Sequence, residues 1–188
     1  MNDVINALME RRSIRKYKSE PINDKELETI ITCCLYAPSA RNTQGWHITA
    51  IADPAKIEDL NQAVKTAVTK EGFDQYKDLV SQGGYSINFK TAPVFIIVSV
   101  DLKVSLSPQE DGALVLGNIM LAAHSLGFGS CWINQLKFIS EESGFRQKLS
   151  GLGVPSGNKV IGCAALGRPA VDHPKAPARK TGLFNIVR

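Results

Sequence analysis

Arg11, Arg12, Ser13, Ile14 and Arg15 place three guanidinium groups and a hydroxyl within five residues. Arginine forks grip phosphate oxygens through paired, charge-assisted hydrogen bonds, and a serine between them adds a neutral donor, so the segment suits an anion clamp. The same residues also suit the solvated basic end of a helix, where cations meet the negative end of the dipole. The segment alone leaves both readings open.

A second group is Ala37, Pro38, Ser39, Ala40, Arg41, Asn42, Thr43, Gln44, Gly45, Trp46 and His47. Its small residues allow close backbone approach, and Ser39, Asn42 and Gln44 offer donors and acceptors to a planar heterocycle with polar edges. A plain surface turn would not need Trp46 and His47 leading straight into a strand.

Other chemistry lacks its starting residues. There is no Walker loop, GxGxxG, HExxH or GxSxG, which removes the common nucleotide, metalloprotease and hydrolase readings. His47, His124 and His173 are scattered, with no neighbouring acid to mark a catalytic pair. Cys33, Cys34, Cys131 and Cys163 form no CxxC pair and read as free, buried thiols. A chain without an evident acid, base or nucleophile of its own points to an organic cofactor that carries the reaction.

The 188 residues fit one domain, 1–188, and 44% hydrophobic content can supply its core. The net charge of +4 is concentrated only at Arg11, Arg12, Arg15, Lys16 and Lys18. That argues for one local anionic ligand and against a nucleic-acid partner, which would want a broader basic stripe. The N-terminus lacks a hydrophobic signal core, and the longest apolar stretch, 113–123, is too short to cross a bilayer, so neither a membrane partner nor a metal site is expected and the location expected is cytoplasmic.

The elements that must position these groups follow from spacing. Residues 3–11 form an amphipathic helix with Val4, Ala7 and Leu8 on one face. Asn23 and Glu26 make a capping box for a helix through Leu35, which Pro38 ends. Trp46 to Ala52 is a strand, and Asp53 with Pro54 starts a helix carrying Ile57, Leu60, Val64 and Val68. Gln75 to Asn88 is a helix end and loop. Pro93 to Val100 suits a central strand buried on both faces. Pro108 to Leu126 is a helix closed by Gly127 whose middle, ALVLGNIMLAA, has no solvent face, which implies cover by a second subunit or burial within one chain. A strand at 130–133, a helix from near Ser140, a strand from Lys159 to Leu166 and a proline-containing arm from Gly167 to Arg188 complete an α+β or α/β layered domain.

RRSIRKY followed by APSARNTQGWH resembles the two N-terminal signatures of the nitroreductase family of FMN enzymes. DGALVLGNIMLAAHSLGFGSCWI resembles the family's dimer helix and the strand after it, and IGCAALGRPA its last strand. The resemblance implies an α+β nitroreductase-like fold: a mixed β-sheet flanked by helices, a long central dimer helix and an extended C-terminal arm. It also implies a homodimer with shared active sites.

By that resemblance Arg11, Arg12, Ser13 and Arg15 meet the flavin's phosphate, ribityl chain and pyrimidine edge. Pro38, Ser39 and Ala40, with Asn42 close by, wall the partner subunit's FMN. Trp132, Ile133, Asn134 and Gln135 run along the flavin, with the Asn134 main-chain N–H near N5, and Arg179 returns to the phosphate. Gly45 stands where many members carry proline. The implied reaction is hydride transfer from NADH or NADPH to FMN and then to a nitroaromatic, quinone or similar small-molecule acceptor by a ping-pong mechanism. The alternatives are a flavin-binding or flavin-sensing protein without efficient turnover, and a member that reduces another acceptor class.

Overall fold

A computed structural model describes residues 2–68, 89 and 91–188. The loop expected at Gln75 to Asn88 lies outside these residues.

Helix α1 spans Asp3–Glu10, with the Asn2 side chain accepting from the Ile5 N–H. Helix α2, Asp24–Leu35, begins at the expected capping box: Asn23 Oδ1 accepts from the Glu26 N–H at 2.9 Å, and a Glu26 oxygen accepts from the Asn23 N–H at 3.2 Å. Strand β1, Trp46–Ile51, precedes α3, Pro54–Val68, whose first turn is capped by Asp53 Oδ1 on the Ala55 N–H. Strand β2 is Val94–Asp101 and helix α4 is Pro108–Ser125. Strand β3 is Gly129–Ile133 and strand β4 is Asn158–Gly167. Between these last two strands lie two helices, α5 at Gln135–Ile139 and α6 at Ser143–Gly151. The single helix expected from near Ser140 is therefore corrected to two, with Ser140 capping the first.

The four strands are ordered β1-β2-β4-β3 and pair antiparallel throughout. Among the described residues the parallel part of the expected mixed sheet is a single bridge, Ser13 to Ser130. Strand β2 sits inside the sheet and alternates strictly. Phe95 and Ile97 enter a core with α3, α5 and α6, while Val94, Ile96 and Val98 enter a second core with α2 and α4. Helices thus cover both faces, which is why β2 reads as an unbroken apolar run.

Strand β4 keeps step with β2 only by means of a bulge. Val98 faces Gly162 but Ser99 faces Val160, so Ile161 is the extra residue. Val160 and Cys163, three apart, consequently lie in the same core, a spacing that a regular pleat would send to opposite faces. Ile161 turns to α4, where Gly112 lies so close that a Cβ there would stand 2.6 Å from Ile161 Cγ1.

The arginine segment is an extended strap along the sheet rather than a helix end. Helix α1 stops at Arg11, whose backbone is already non-helical. Beyond it the Ile14 N–H donates to Ser130 O at 2.9 Å, Tyr17 bridges Pro169, and the Lys18 N–H donates to Arg168 O. Gly129 permits this, since a Cβ there would meet Ile14 Cβ at 2.7 Å. The Tyr17 hydroxyl is buried and donates to backbone carbonyls of Ile14 and Ala165, and burial raises its pKa.

Candidate functional site

Extended backbone alternates its side chains, so the strap splits the arginine cluster into two faces. Arg11, Ser13 and Arg15 gather around the buried Cys131 of β3, with Ser13 and Arg15 reaching its sulfur. Burial raises the Cys131 pKa and the two arginines oppose that rise. Arg12 faces the other way, toward His124 at the end of α4 and His173 of the arm. Its Nη1 donates to Arg11 O at 2.6 Å. Arg11 Nη1 and Arg12 Nε are both buried without a hydrogen-bond partner in the described structure. Buried guanidinium nitrogens left unmatched cost free energy, so an acceptor brought to them is strongly favoured.

Residues 37–45 form an internally hydrogen-bonded loop between α2 and β1. The Asn42 N–H donates to Ser39 O, the Gln44 N–H to Ser39 Oγ, and Gln44 Nε2 to Asn42 Oδ1 at 2.9 Å. Arg41, Asn42 and Gln44 hold positive φ values of 52°, 55° and 48°, a conformation that costs a non-glycine residue about 1 kcal/mol or more and persists only where its surroundings enforce it. One enforcing group is Asp111, only 2% exposed. Its Oδ1 accepts from the Ala40 N–H at 3.0 Å and its Oδ2 from Ser105 Oγ at 2.6 Å. Gly45 packs on the same serine, where a Cβ would lie 3.1 Å from Ser105 Cβ and N. Any larger residue at position 45 presses on the contact that fixes the loop.

Asp111→Ala leaves the Ala40 N–H and the Ser105 hydroxyl without their acceptor. The expected loss is about 1–3 kcal/mol in urea unfolding, with Asp111→Asn milder because it keeps one carbonyl oxygen. Equal midpoints for Asp111→Ala and wild type would remove Asp111 from this role.

The structure does not bring the two segments together. Asp111, beside the loop, and His124, beside the strap, are thirteen residues apart on α4, about 20 Å at 1.5 Å per residue. They also sit against opposite edges of the sheet, since the loop leads into β1 and the strap lies along β3. Of the third segment, Trp132 and Ile133 are half-buried on β3 and Asn134 is exposed, with its Oδ1 accepting from Trp132 Nε1 at 2.6 Å. Gln135 is turned inward at 3% exposure with Oε1 unpartnered. Pro38 is exposed, Ser39 and Ala40 are half-buried, and Arg179 is exposed on an arm whose residues from 171 onward are all exposed. No described contact joins Arg179 to the strap.

Sequence reading missed Asp111, which looks like an ordinary acid of a helix's first turn. It also missed that His124 and His173 meet, with ring centroids 5.6 Å apart. Cys33 is exposed, against the expectation that all four thiols are buried. Among the described residues no group of three or more His, Cys, Asp or Glu side chains could hold a metal, and no helix is long and apolar enough to cross a membrane.

A helix-covered antiparallel sheet with a basic strap on one edge and a pinned polar loop on the other defines an α+β fold. The chain belongs to the nitroreductase family, which it matches over residues 8–168. It is similar to a nitroreductase with bound FMN from Bacteroides fragilis NCTC 9343, at 35% identity and a TM-score of 0.89 over 100% of both chains. A second FMN-bound nitroreductase, from Desulfitobacterium hafniense, shares the fold at a TM-score of 0.86 and 23% identity, again over 100% of both. The NADPH-flavin oxidoreductase of Vibrio harveyi is 28% identical over 95% of this chain and 72% of its own.

Proposed function

We propose that the protein is an FMN-dependent oxidoreductase that draws hydride from NADH or NADPH and passes it to nitroaromatic, quinone or similar acceptors in ping-pong fashion. It works in the cytoplasm as a homodimer of one-domain chains, 1–188. The observation that carries this reading is the strap: Arg11 Nη1 is buried and unpartnered beside Ser13 and Arg15, and Arg12 Nε is buried and unpartnered on the strap's other face, donors that fit a phosphate and the hydroxyls next to it. The family membership and the FMN in the similar Bacteroides protein support it.

Bound FMN would supply the redox chemistry, as the carrier of hydride between donor and acceptor. The chain's residues bind and orient. Arg11 and Arg12 hold the phosphate with Arg179, and Ser13 holds the ribityl chain. Arg15 puts a fixed positive charge at the pyrimidine edge, where negative charge develops on reduction. Trp132, Ile133, Asn134 and Gln135 would line the ring, with the Asn134 main-chain N–H as a donor to N5.

Pro38, Ser39, Ala40 and Asn42 wall the flavin of the other subunit. The separation of about 20 Å along α4 between Asp111, beside the loop, and His124, beside the strap, supports this division. So do the apolar faces left open in one chain: Val4, Leu8 and Met9 of α1, Leu114 of α4, and Leu183, Phe184, Ile186 and Val187 of the arm are all exposed. An area of this kind suits an obligate dimer interface of roughly 2,000 Å² or more.

The absorption spectrum of purified protein, recorded before and after NADH or NADPH, tests the reading. Flavin bands that bleach with either donor are expected. Protein that binds no flavin overturns the cofactor, and bound flavin that neither donor bleaches replaces the enzyme with the flavin-sensing alternative.

Site sharing has its own test. A heterodimer of Arg15→Ala with Ser39→Trp contains one site with both lesions and one with neither. It should recover about half of wild-type activity although both folded mutant homodimers are impaired. A heterodimer as poor as its parents would place both segments in one chain's site.

A further inference from the structure

The end of β3 is tied across the turn that follows it. Trp132 is half-buried, and its indole packs into the core that α2 and α4 make with the sheet. Gly162, next to the bulge of β4, makes the room: a Cβ there would stand 2.9 Å from Trp132 Nε1 and 3.0 Å from Cε2. From that place the indole N–H reaches past the strand end and donates to Asn134 Oδ1 at 2.6 Å.

Asn134 occupies the N-cap position of α5, where an asparagine side chain ordinarily accepts from the backbone N–H groups of the first turn. It does not do so here. Its backbone is already helical, at φ −100° and ψ −18°, and no side-chain cap bond forms. The side chain turns back to Trp132 instead, while the Asn134 carbonyl accepts from the Lys137 N–H at 3.0 Å. Asn134 is thus held at its side chain and at its carbonyl, and its own N–H meets no acceptor among the described residues.

We infer that Trp132 is a positioning residue for the redox site: its indole N–H, acting through the Asn134 side chain, fixes the direction of the Asn134 main-chain N–H. The inference rests on the function proposed above, in which that N–H is the donor to flavin N5. The main chain of Trp132 belongs to the segment along the flavin, but its indole lies on the α4 side and works through Asn134. Hydrogen bonds weaken steeply as they bend, and a donor stabilises developing charge best when it is aimed before the reaction begins. A bond from residue 132 to residue 134 restrains the dihedrals of Ile133 and Asn134 that set this aim.

Nitrogen NMR of isotope-labelled FMN bound to the whole protein tests the inference. Trp132→Phe removes the indole N–H and keeps an aromatic ring beside Gly162. Asn134→Ala removes the acceptor, keeps the main-chain N–H and, at an exposed position, leaves the cores intact. In wild type the N5 resonance is expected where a hydrogen-bonded nitrogen falls. Each variant should move it toward its place in an aprotic solvent, with N1 and N3 unmoved, and the double variant should go no further than either single one. Reduction by saturating NADH or NADPH should slow about two- to tenfold, the worth of one neutral hydrogen bond, at an unchanged half-saturating donor concentration.

Protein that holds no FMN, or wild-type N5 without a hydrogen bond, overturns the donor in the proposed function and this inference with it. A hydrogen-bonded N5 that both variants leave in place, or a double variant that sums two independent shifts, overturns the inference alone. So does a variant that raises the half-saturating donor concentration and keeps the limiting rate, since the two side chains would then act on donor binding.

Discussion

Arg11→Ala is expected to weaken FMN binding roughly ten- to a hundredfold, while Lys56→Ala, exposed on α3, leaves it unchanged. The size follows from the bond lost: a charge-assisted contact to phosphate contributes about 1.5–3 kcal/mol. Arg11 is the stronger choice among the strap arginines. Its Nη1 is already buried and unmatched, so part of the cost of ordering it is met before ligand arrives. Arg15 is exposed, and Arg15→Ala should cost less in affinity. Dialysis against buffer, followed by flavin absorbance per subunit, measures both. Equal flavin retention by Arg11→Ala and Lys56→Ala would return the strap to a solvated basic edge.

Gly112→Ala should lower the unfolding free energy of the apoprotein by about 1–3 kcal/mol, the usual penalty for forcing atoms into a filled core. The added Cβ would stand 2.6–2.7 Å from three atoms of Ile161, a fully buried β-branched residue on a strand that cannot retreat. Relief must come from the other side of the contact. Ile161→Ala alone opens a cavity and destabilises, but combined with Gly112→Ala it should restore part of the loss, so the pair is strongly non-additive. Additive losses in urea titrations of the two single variants and the double would show that α4 shifts to make room. Gly117, five residues further along α4 and so turned away from Ile161, has open space at its Cβ position and gives the contrasting case. Gly117→Ala should be neutral or stabilising in a monomeric form and disruptive only where a second chain packs there.

How much of this was readable beforehand depends on the range of the forces involved. Caps are local, so Asn23 with Glu26 and Asp53 with Pro54 marked helix starts that the structure keeps. The central strand was legible because burial on both faces leaves an apolar run in any context. Helix α5 was missed because five residues contain too little periodicity to declare a helix, and tertiary burial of Leu136 and Ile139 holds it instead. The strap was read as an undivided cluster because its splitting into two faces depends on a backbone conformation imposed by Ser130, Arg168 and Gly129. Asp111 and the His124–His173 pair were invisible for the same reason. Their partners are supplied by the fold at separations of 71 residues for Ala40 and Asp111, far beyond any motif.

Because Ile161 is the extra residue of a bulge, β4 is in effect two strands of opposite phase spliced end to end. In a sheet with one wet face, such a splice would announce itself as a break in polar alternation. Here both faces are dry, and the misplaced halves would differ only in volume. The grammar of this strand is written in size: Gly162 leaves space where a Cβ would meet Leu116 and Trp132 at 2.9 Å, and Gly167 where it would meet Pro93 at 2.5 Å. Deleting Ile161 would change no charge and expose no oil: it would restore an unbroken pleat with Val160 still beside Cys163 in the same core, and remove the side chain that packs on Gly112 of α4. Such a lesion is silent to any scan for hydrophobicity and legible only to one that measures fit.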